Sequence, residues 1–353
     1  MTPLSQRKQQ ILRALVEEYI HTATPVASET LVRKYELGFS SATVRHELAG
    51  LEEATLIYQP HTSAGRVPTD LGYRYFVEHL MQESALPLHE QRLIRHQFYQ
   101  VQDQLDQWVR LTASVMARLL HSAAIMTPPH STEGRLKHFE VLSVTDLAAH
   151  VVLVLIDGTV KQQRLLLEAA IQQEELSAVA ARLNRLFQGK NATEIDQTLR
   201  THDMSHLEEL IANTLVRILE QHGDPLGDVF YREGVVNILE QPEYSRMGPE
   251  DARNERVRNV LEMLEQQNRL LPALASHLRS AQSNGVQVII GGENEWDEMK
   301  DVSLVVARYG QEGKVGGLLG VIGPTRMQYD RAIAVVRYMT DVMNELLAKV
   351  YEL

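Results

Sequence analysis

The sequence predicts a multidomain α+β protein, and three observations carry that expectation. The first is size and composition: 353 residues, 44% of them hydrophobic and 23% charged, suffice for two or three domains with packed cores. The second is a change of hydrophobic period. Helical spacing dominates to about Ser122, strand-like runs follow from Lys137 to Leu167, and helical spacing returns from Gln173. The third is a second strand-rich block, from Val286 to Ile322, that leads into a closing helix.

Composition also excludes classes. The chain has no cysteine, so disulfides and thiol catalysis are out, and a reducing cytoplasm is the expected setting. The N-terminus, MTPLSQRKQQILRALVEEYI, is amphipathic from the start and lacks an apolar h-region, so no secretory signal is expected. The longest apolar run, around Ala148 to Ile156, is half the roughly 20 residues that span a bilayer, and no membrane role is expected. Net charge is -11, yet residues 1–80 hold eight Lys+Arg and nine Asp+Glu, a net of only -1. The acidic bulk argues against a general nucleic-acid coat. It leaves room for a local DNA contact, because exposed charges beyond about 10 Å are largely screened.

In the N-terminal part, Leu4, Ile11, Leu12, Leu15, Val16 and Tyr19 fall at helical spacing. Pro25 stops that helix. A short helix is expected from Ala27 to Tyr35, then a turn at Glu36-Leu37-Gly38. A third helix starts at Ser40 or Ser41, either of which offers an N-cap, and buries Val44, Leu48 and Leu51. Leu56 to Gln59 reads as a short strand. The polar stretch QPHTSAGRVPTD, Gln59 to Asp70, is a loop in which Val67-Pro68 returns as an edge strand. A fourth helix is expected from about Thr69 to Met81, and a long one from Leu88 to about Ser122. Strands follow at Lys137–Val144, Ala149–Ile156 and Lys161–Leu167, the last two joined by an Asp157-Gly158 hairpin turn. Helices are expected over Gln173–Gln221, broken at QGKNAT and THDMS, and over Pro249 to about Ala281. Strands at Val286–Ile290, Val302–Arg308 and Val315–Ile322 precede the last helix, from Gln328 onward. Strands on both sides of a helical stretch point to one sheet with an insertion. The expected domains are 1–82, a discontinuous 88–170 with 229–353, and an inserted 171–228.

Three helices, a strand, a loop and a return strand make the order of a winged helix-turn-helix. A helix fits the major groove of DNA and its N-terminal residues reach base edges. Thr43, Arg45 and His46 stand near the start of the third helix, off its core face. Arg45 suits guanine O6/N7 or a phosphate. Ser40 and Ser41 sit at the positive helix end, which favours phosphate. The loop fits a wing: His61, Thr62, Ser63 and Arg66 supply donors, Gly65 supplies backbone latitude, and no acid intervenes to repel a phosphate.

These residues carry a resemblance. QPHTSAGRVPTDLGYRYFV, preceded by SSATVRHELAGLEEATL and TPVASETLVRKY, closely resembles the HrcA family of heat-inducible transcription repressors. So do YREGVVNILEQPEY, Tyr231 to Tyr244, and GVIGPTRMQYDRAIAVVRYM, Gly320 to Met339. The blocks stand in the right order and cover most of the chain. The chain departs from the family pattern at His46, where asparagine is expected, and at Ala54-Thr55, which replaces a glycine-containing helix exit. The resemblance implies a homodimer with a winged-helix DNA-binding domain, a GAF-like domain and an inserted dimerising domain. It implies repression of chaperone operons at an inverted-repeat operator on double-stranded DNA, with activity maintained by the GroEL chaperonin. A regulator that senses a small molecule through the GAF-like domain is the alternative.

Other constellations imply less. GGLLGVIGP, Gly316 to Pro324, lacks the Walker lysine and reads as a strand with a tight turn, or as a phosphate cradle. There is no H-E-x-x-H and no G-x-S-x-G, so no metal, cofactor or enzymatic activity is expected. The acidic run Glu293, Glu295, Asp297, Glu298 reads as a solvated loop, or a cation or partner site. The stripe from Leu207 to Leu219 is core or dimer interface.

Overall fold

The computed structural model describes residues 4–62, 64–82, 84–101, 104–131, 134–156, 158–222, 230–266, 270, 274, 285–294, 299–311 and 315–351. The chain divides into two compact units. The larger comprises Met1–Thr127, Phe230–Tyr309 and Leu318–Leu346; the smaller comprises Pro128–Val229, Gly310–Gly317 and Leu347–Leu353.

The larger unit opens with helices α1 (Gln6–Thr22), α2 (Ser28–Tyr35) and α3 (Ser41–Glu53), then a ribbon of β1 (Ile57–Tyr58) and β2 (Val67–Pro68). The ribbon is antiparallel, with Ile57 opposite Pro68 and Tyr58 opposite Val67. Ile11, Leu15, Leu31, Val44, Leu51 and Leu56 form its core. Ser5 caps α1 through the Lys8 N–H, and Ser40 caps α3 through the Thr43 N–H. α3 ends at Ala54, and Thr55 then takes φ +59. That is the left-handed region, which a β-branched residue rarely enters, so the missing glycine of the helix exit has a structural consequence.

Next come α4 (Asp70–Tyr75), capped by Thr69, and a π-helical turn, Phe76–Leu80. The long helix expected from Leu88 to Ser122 is two: α5 (Leu88–Tyr99) and α6 (Leu105–Leu120). At the break the buried Trp108 indole N–H donates to the Val101 carbonyl at 2.8 Å. The central sheet follows the order β8-β3-β11-β10-β9, with β3 at Ala123–Met126, β8 at Tyr231–Glu233, β9 at Gln287–Ile290, β10 at Val302–Gly310 and β11 at Val315–Pro324. Between β8 and β9 run α10 (Val235–Leu239), α11 (Pro242–Ser245) and α12 (Glu250–Glu265). GGLLGVIGP is thus the buried strand β11, which turns into the last helix, α13 (Tyr329–Tyr351). A Cβ on Gly320 would lie 2.6 Å from the Val305 carbonyl, so glycine there lets neighbouring strands close up.

The smaller unit holds β4 (His130–Ser131), the three-stranded sheet β5 (Leu136–Thr145), β6 (Ala148–Leu155) and β7 (Val160–Leu166), and helices α7 (Gln173–Phe187), α8 (Ala192–Thr201) and α9 (His206–His222). Gly158 turns the β6–β7 hairpin at φ +87; Asp157 lies outside the described residues. Phe139, Val151 and Leu153 pack with Leu183, Phe187 and Leu215 in one core. β5 is an edge strand, and α7 covers its free edge. Asn184 exchanges two hydrogen bonds with the Phe139 backbone (3.0 and 2.7 Å), and Gln173 accepts from Ser143 N and donates to Val141 O. Side-chain amides here complete a ladder that would otherwise be open to pairing.

The sequence placed 128–170 with the central domain and began the insertion at 171. The structure instead gives β5–β7 a sheet of their own, sharing a core with α7–α9. The strand that joins the central sheet before the insertion is β3, AAIM, four consecutive buried residues. It has no alternation to betray it. The Leu207–Leu219 stripe is core: Ile211, Leu215 and Leu219 are fully or almost fully buried.

Candidate nucleic-acid interface

The start of α2, the middle of α3 and the β1–β2 loop line one groove of about 440 Å³, whose lining includes Glu29, Arg45, Leu48, Gln59, Thr62 and Arg66 but not Ser40, Ser41, Thr43, His46 or His61. Ala42, Arg45, His46 and Ala49 are exposed along α3, while Val44, Leu48 and Leu51 are buried, as the spacing predicts. Ser40 is exposed at the cap. Ser41 and Thr43 are half-buried, and the Thr43 hydroxyl lies 2.9 Å from that of Ser40.

Arg45 is exposed but held. Its guanidinium pairs with Glu29 on α2 and donates from Nε to Ser28 Oγ at 3.2 Å. That contact, with backbone and Ser28 hydrogen bonds behind it, pulls the Glu29 carboxyl down to about 2. Two further acids near the groove are paired: Glu47 with Arg7 at 3.3 Å and Glu52 with Arg66 at 3.0 Å.

His61 and Thr62 are exposed in the loop; Ser63 lies outside the described residues. The loop is organised from within by Gln59, whose amide donates to the carbonyls of Thr62 and Ala64 at 3.0 and 2.8 Å. Its base is pinned to the residues before α2, since Val26 and Arg66 exchange backbone hydrogen bonds of 2.9 and 2.8 Å. Gly65 lies flat on that crossing, where a Cβ would come within 2.4 Å of the Val26 backbone. Arg66 therefore stands at the loop's base and not at its tip. Its side chain is only 21% exposed, and its Nε makes the ion pair with Glu52 without a hydrogen bond to any acceptor.

Sequence reasoning missed Gln59, Glu29 and Ser28. Gln59 sits at the edge of a stretch scanned for charge, and an amide that bonds backbone leaves no periodic trace. Glu29 and Ser28 belong to a different helix from the arginine they hold. The acidic run resolves in part: Glu293 accepts from Arg74 on α4, while Glu295, Asp297 and Glu298 lie outside the described residues. Among the described residues, no group of three His, Cys, Asp or Glu is placed to hold a metal ion, and no helix is long and apolar enough to cross a membrane.

The structure defines a multidomain α/β protein whose small helical N-terminal element places α3 and the β1–β2 loop on one groove. Comparison with known proteins then gives the family. Residues 106–333 match the family model for the HrcA protein C-terminal domain. The Heat-inducible transcription repressor HrcA of Roseiflexus castenholzii is 47% identical over 99% of this chain and 96% of its own. That of Herpetosiphon aurantiacus is 43% identical over the same shares. A solved structure described as a hypothetical protein shares the fold, with a TM-score of 0.56 at 22% identity over 98% of each chain. The chain belongs to the HrcA family.

Proposed function

We propose that this protein is a dimeric transcription repressor of heat-inducible chaperone genes. Its N-terminal element is a winged helix-turn-helix that reads an inverted-repeat operator, and it acts without catalysis. The observation that carries the reading is the shared groove: α3 and the acid-free loop line one space, with Arg45 and Arg66 among its lining beside Glu29. α3 is the recognition helix and enters the major groove, where Arg45 and His46 meet base edges. Ser40, Ser41 and Thr43 at its N-terminus meet phosphate. His61, Thr62, Ser63 and Arg66 form the wing and contact the sugar-phosphate backbone. Arg66 lines the groove beside Thr62, and its guanidinium would meet a phosphate oxygen in exchange for Glu52.

An inverted repeat calls for a two-fold protein, since operator symmetry mirrors dimer symmetry. The smaller unit supports dimerisation: Leu142, Val144, Leu147, Ile156, Val160 and Leu166 are exposed on or beside its three-stranded sheet. The central domain is GAF-like, and the GroEL chaperonin keeps the repressor competent until heat diverts it to unfolded clients. The test is a gel shift of an inverted-repeat duplex with the purified chain, with and without chaperonin. Retarded DNA that increases with chaperonin supports the proposal. No shift with any inverted repeat would remove its DNA-binding core, and full binding after heating without chaperonin would remove the chaperonin step.

The alternative, a small-molecule-sensing regulator, is favoured by one feature. A cavity of about 440 Å³ in the larger unit is lined by Arg326, Arg331, His121 and Gln241 beside Ile20 of α1. A tight ligand there must raise the melting temperature, so a thermal-shift screen with small organic anions separates the two readings.

A further inference from the structure

The blocks PTDLGYRYFV, QPEY and GPTRMQY carry much of the family resemblance, yet none of their residues lines the groove. The structure places them where the N-terminal element meets the central sheet of the same unit. At one anchor, Asp70, in the first turn of α4, accepts a hydrogen bond from the Gly292 N–H at 2.8 Å. One turn on, Arg74 donates from Nε to Glu293 at 2.7 Å, grips its second carboxylate oxygen, and donates to the Val288 carbonyl at 2.7 Å. Glu293 is itself fixed by the Ile290 N–H at 2.8 Å. Gly291 makes the approach possible. It takes φ +46, and a Cβ there would lie 2.6 Å from the Asp70 carboxylate.

A second anchor lies on another helix. Arg326, in the turn between β11 and α13, donates to the carbonyl of Ile20 in the last turn of α1. That carbonyl belongs to the set a helix end leaves without intrahelical partners. Glu243 holds the same guanidinium at 2.6 Å. A single anchor leaves a hinge; two anchors on different helices fix rotation as well as position.

We infer that Asp70, Arg74 and Arg326 are positioning residues that lock the DNA-binding element onto the central sheet, so that a dimer presents its two recognition helices at one set separation and angle. These residues touch no DNA. They determine which spacing of half-sites the protein accepts. The inference rests on the reading of the protein as a dimeric DNA-binding repressor. Each inserted base pair moves a half-site by about 3.4 Å and turns it by about 35°, a displacement a locked pair of helices cannot follow.

The test uses the full-length chain and duplexes it selects from a random-sequence pool, rebuilt with one or two base pairs inserted between the half-sites. Wild type loses about tenfold or more in affinity with each insertion. Arg74→Ala and Gly291→Ala, which break the first anchor from opposite sides, lose no more than about threefold on the same insertions, and Glu293→Gln falls between. Melting curves identify any variant that fails to fold, and the remaining ones carry the test. Folded variants that keep the tenfold penalty, or weaken at every spacing by one common factor, overturn the inference: the contacts would then hold the fold together and nothing more. If wild type selects no inverted repeat, the functional reading fails first and takes this inference with it.

Discussion

Arg66 offers the sharpest test of the proposed wing. In the free protein its Nε lies 3.0 Å from Glu52 on α3, with the two side chains 21% and 35% exposed. A phosphate bound there would have to displace that carboxylate. A partly exposed ion pair contributes about 0.2–1 kcal/mol, which corresponds to at most about fivefold in Kd. Glu52→Gln removes the competitor and one negative charge facing the DNA, so it should tighten binding about two- to fivefold. Arg66→Ala removes the phosphate contact and should weaken binding to every operator variant alike. It should also flatten the plot of log K against log salt by about 0.9, one phosphate's share. Fluorescence anisotropy with a labelled duplex, titrated across about 50–200 mM salt, reads both effects. An unchanged salt slope for Arg66→Ala, with a lowered melting temperature in both variants, would refute the reasoning. Arg66 would then be a brace between loop and helix.

Other predictions follow from single contacts. Arg45→Ala should cost about 1–3 kcal/mol and relax base preference at one half-site position; equal weakening across all operator variants would make it a phosphate clamp. Glu29→Gln frees Arg45 from its partner and should tighten binding, which the same titrations measure. Thr55→Gly relieves a left-handed residue that costs about 1–2 kcal/mol and adds back about 0.5–1 kcal/mol of glycine entropy. The net gain of about 0.5–1 kcal/mol should raise the melting temperature by about 1–4 °C, and no rise would mean the Thr55 geometry is relaxed. Glu18 is 6% exposed and accepts from Lys34 at 2.6 Å and Tyr35 at 3.1 Å. Burial pushes its carboxyl up, but those hydrogen bonds outweigh burial and hold it below its ordinary 4.5. The stability it contributes is therefore present above about pH 4.5 and lost as pH falls through the lower folded value. Glu18→Gln should cost about 1–2 kcal/mol at neutral pH, a deficit that shrinks in acid; a constant deficit from pH 7 to 3 would place the effect in packing.

Much of the N-terminal element was legible because its signals are local. Period 3.6 put Val44, Leu48 and Leu51 inside, Ser40 marked a cap, and Pro68 sat at the return strand, all as found. The strands β5, β6 and β7 of the smaller unit were legible to within a residue for the same reason. Their allegiance was not. Alternation gives a strand a buried face but does not say what buries it, and only the shared core of Phe139 and Leu153 with Phe187 and Leu215 settles that. β3 was invisible because four buried residues in a row have no period.

The site was legible in composition and misjudged in mechanics. The loop from His61 to Arg66 is free of acids, as a wing requires, yet Arg66 is paired with an acid 14 residues back in α3 and Arg45 with one in α2. Excluding acids from a loop does not exclude them from its surroundings, because side chains meet across helices at separations that no window spans. These pairs change what binding means. The groove of the free protein is not a bare cationic surface waiting for phosphate; its two arginines are already committed. On the proposed reading, DNA would exchange one partner for another, with a small net gain from each exchange. Affinity on such terms would depend on making many modest exchanges at once at both half-sites of the proposed operator, with the two helices arriving in the right place together. A dimeric repressor of the proposed kind would gain more from holding its recognition helices rigidly than from adding charge. A net charge of only -1 in residues 1–80 beside a joint made of Asp70, Arg74 and Arg326 is what that proposal predicts.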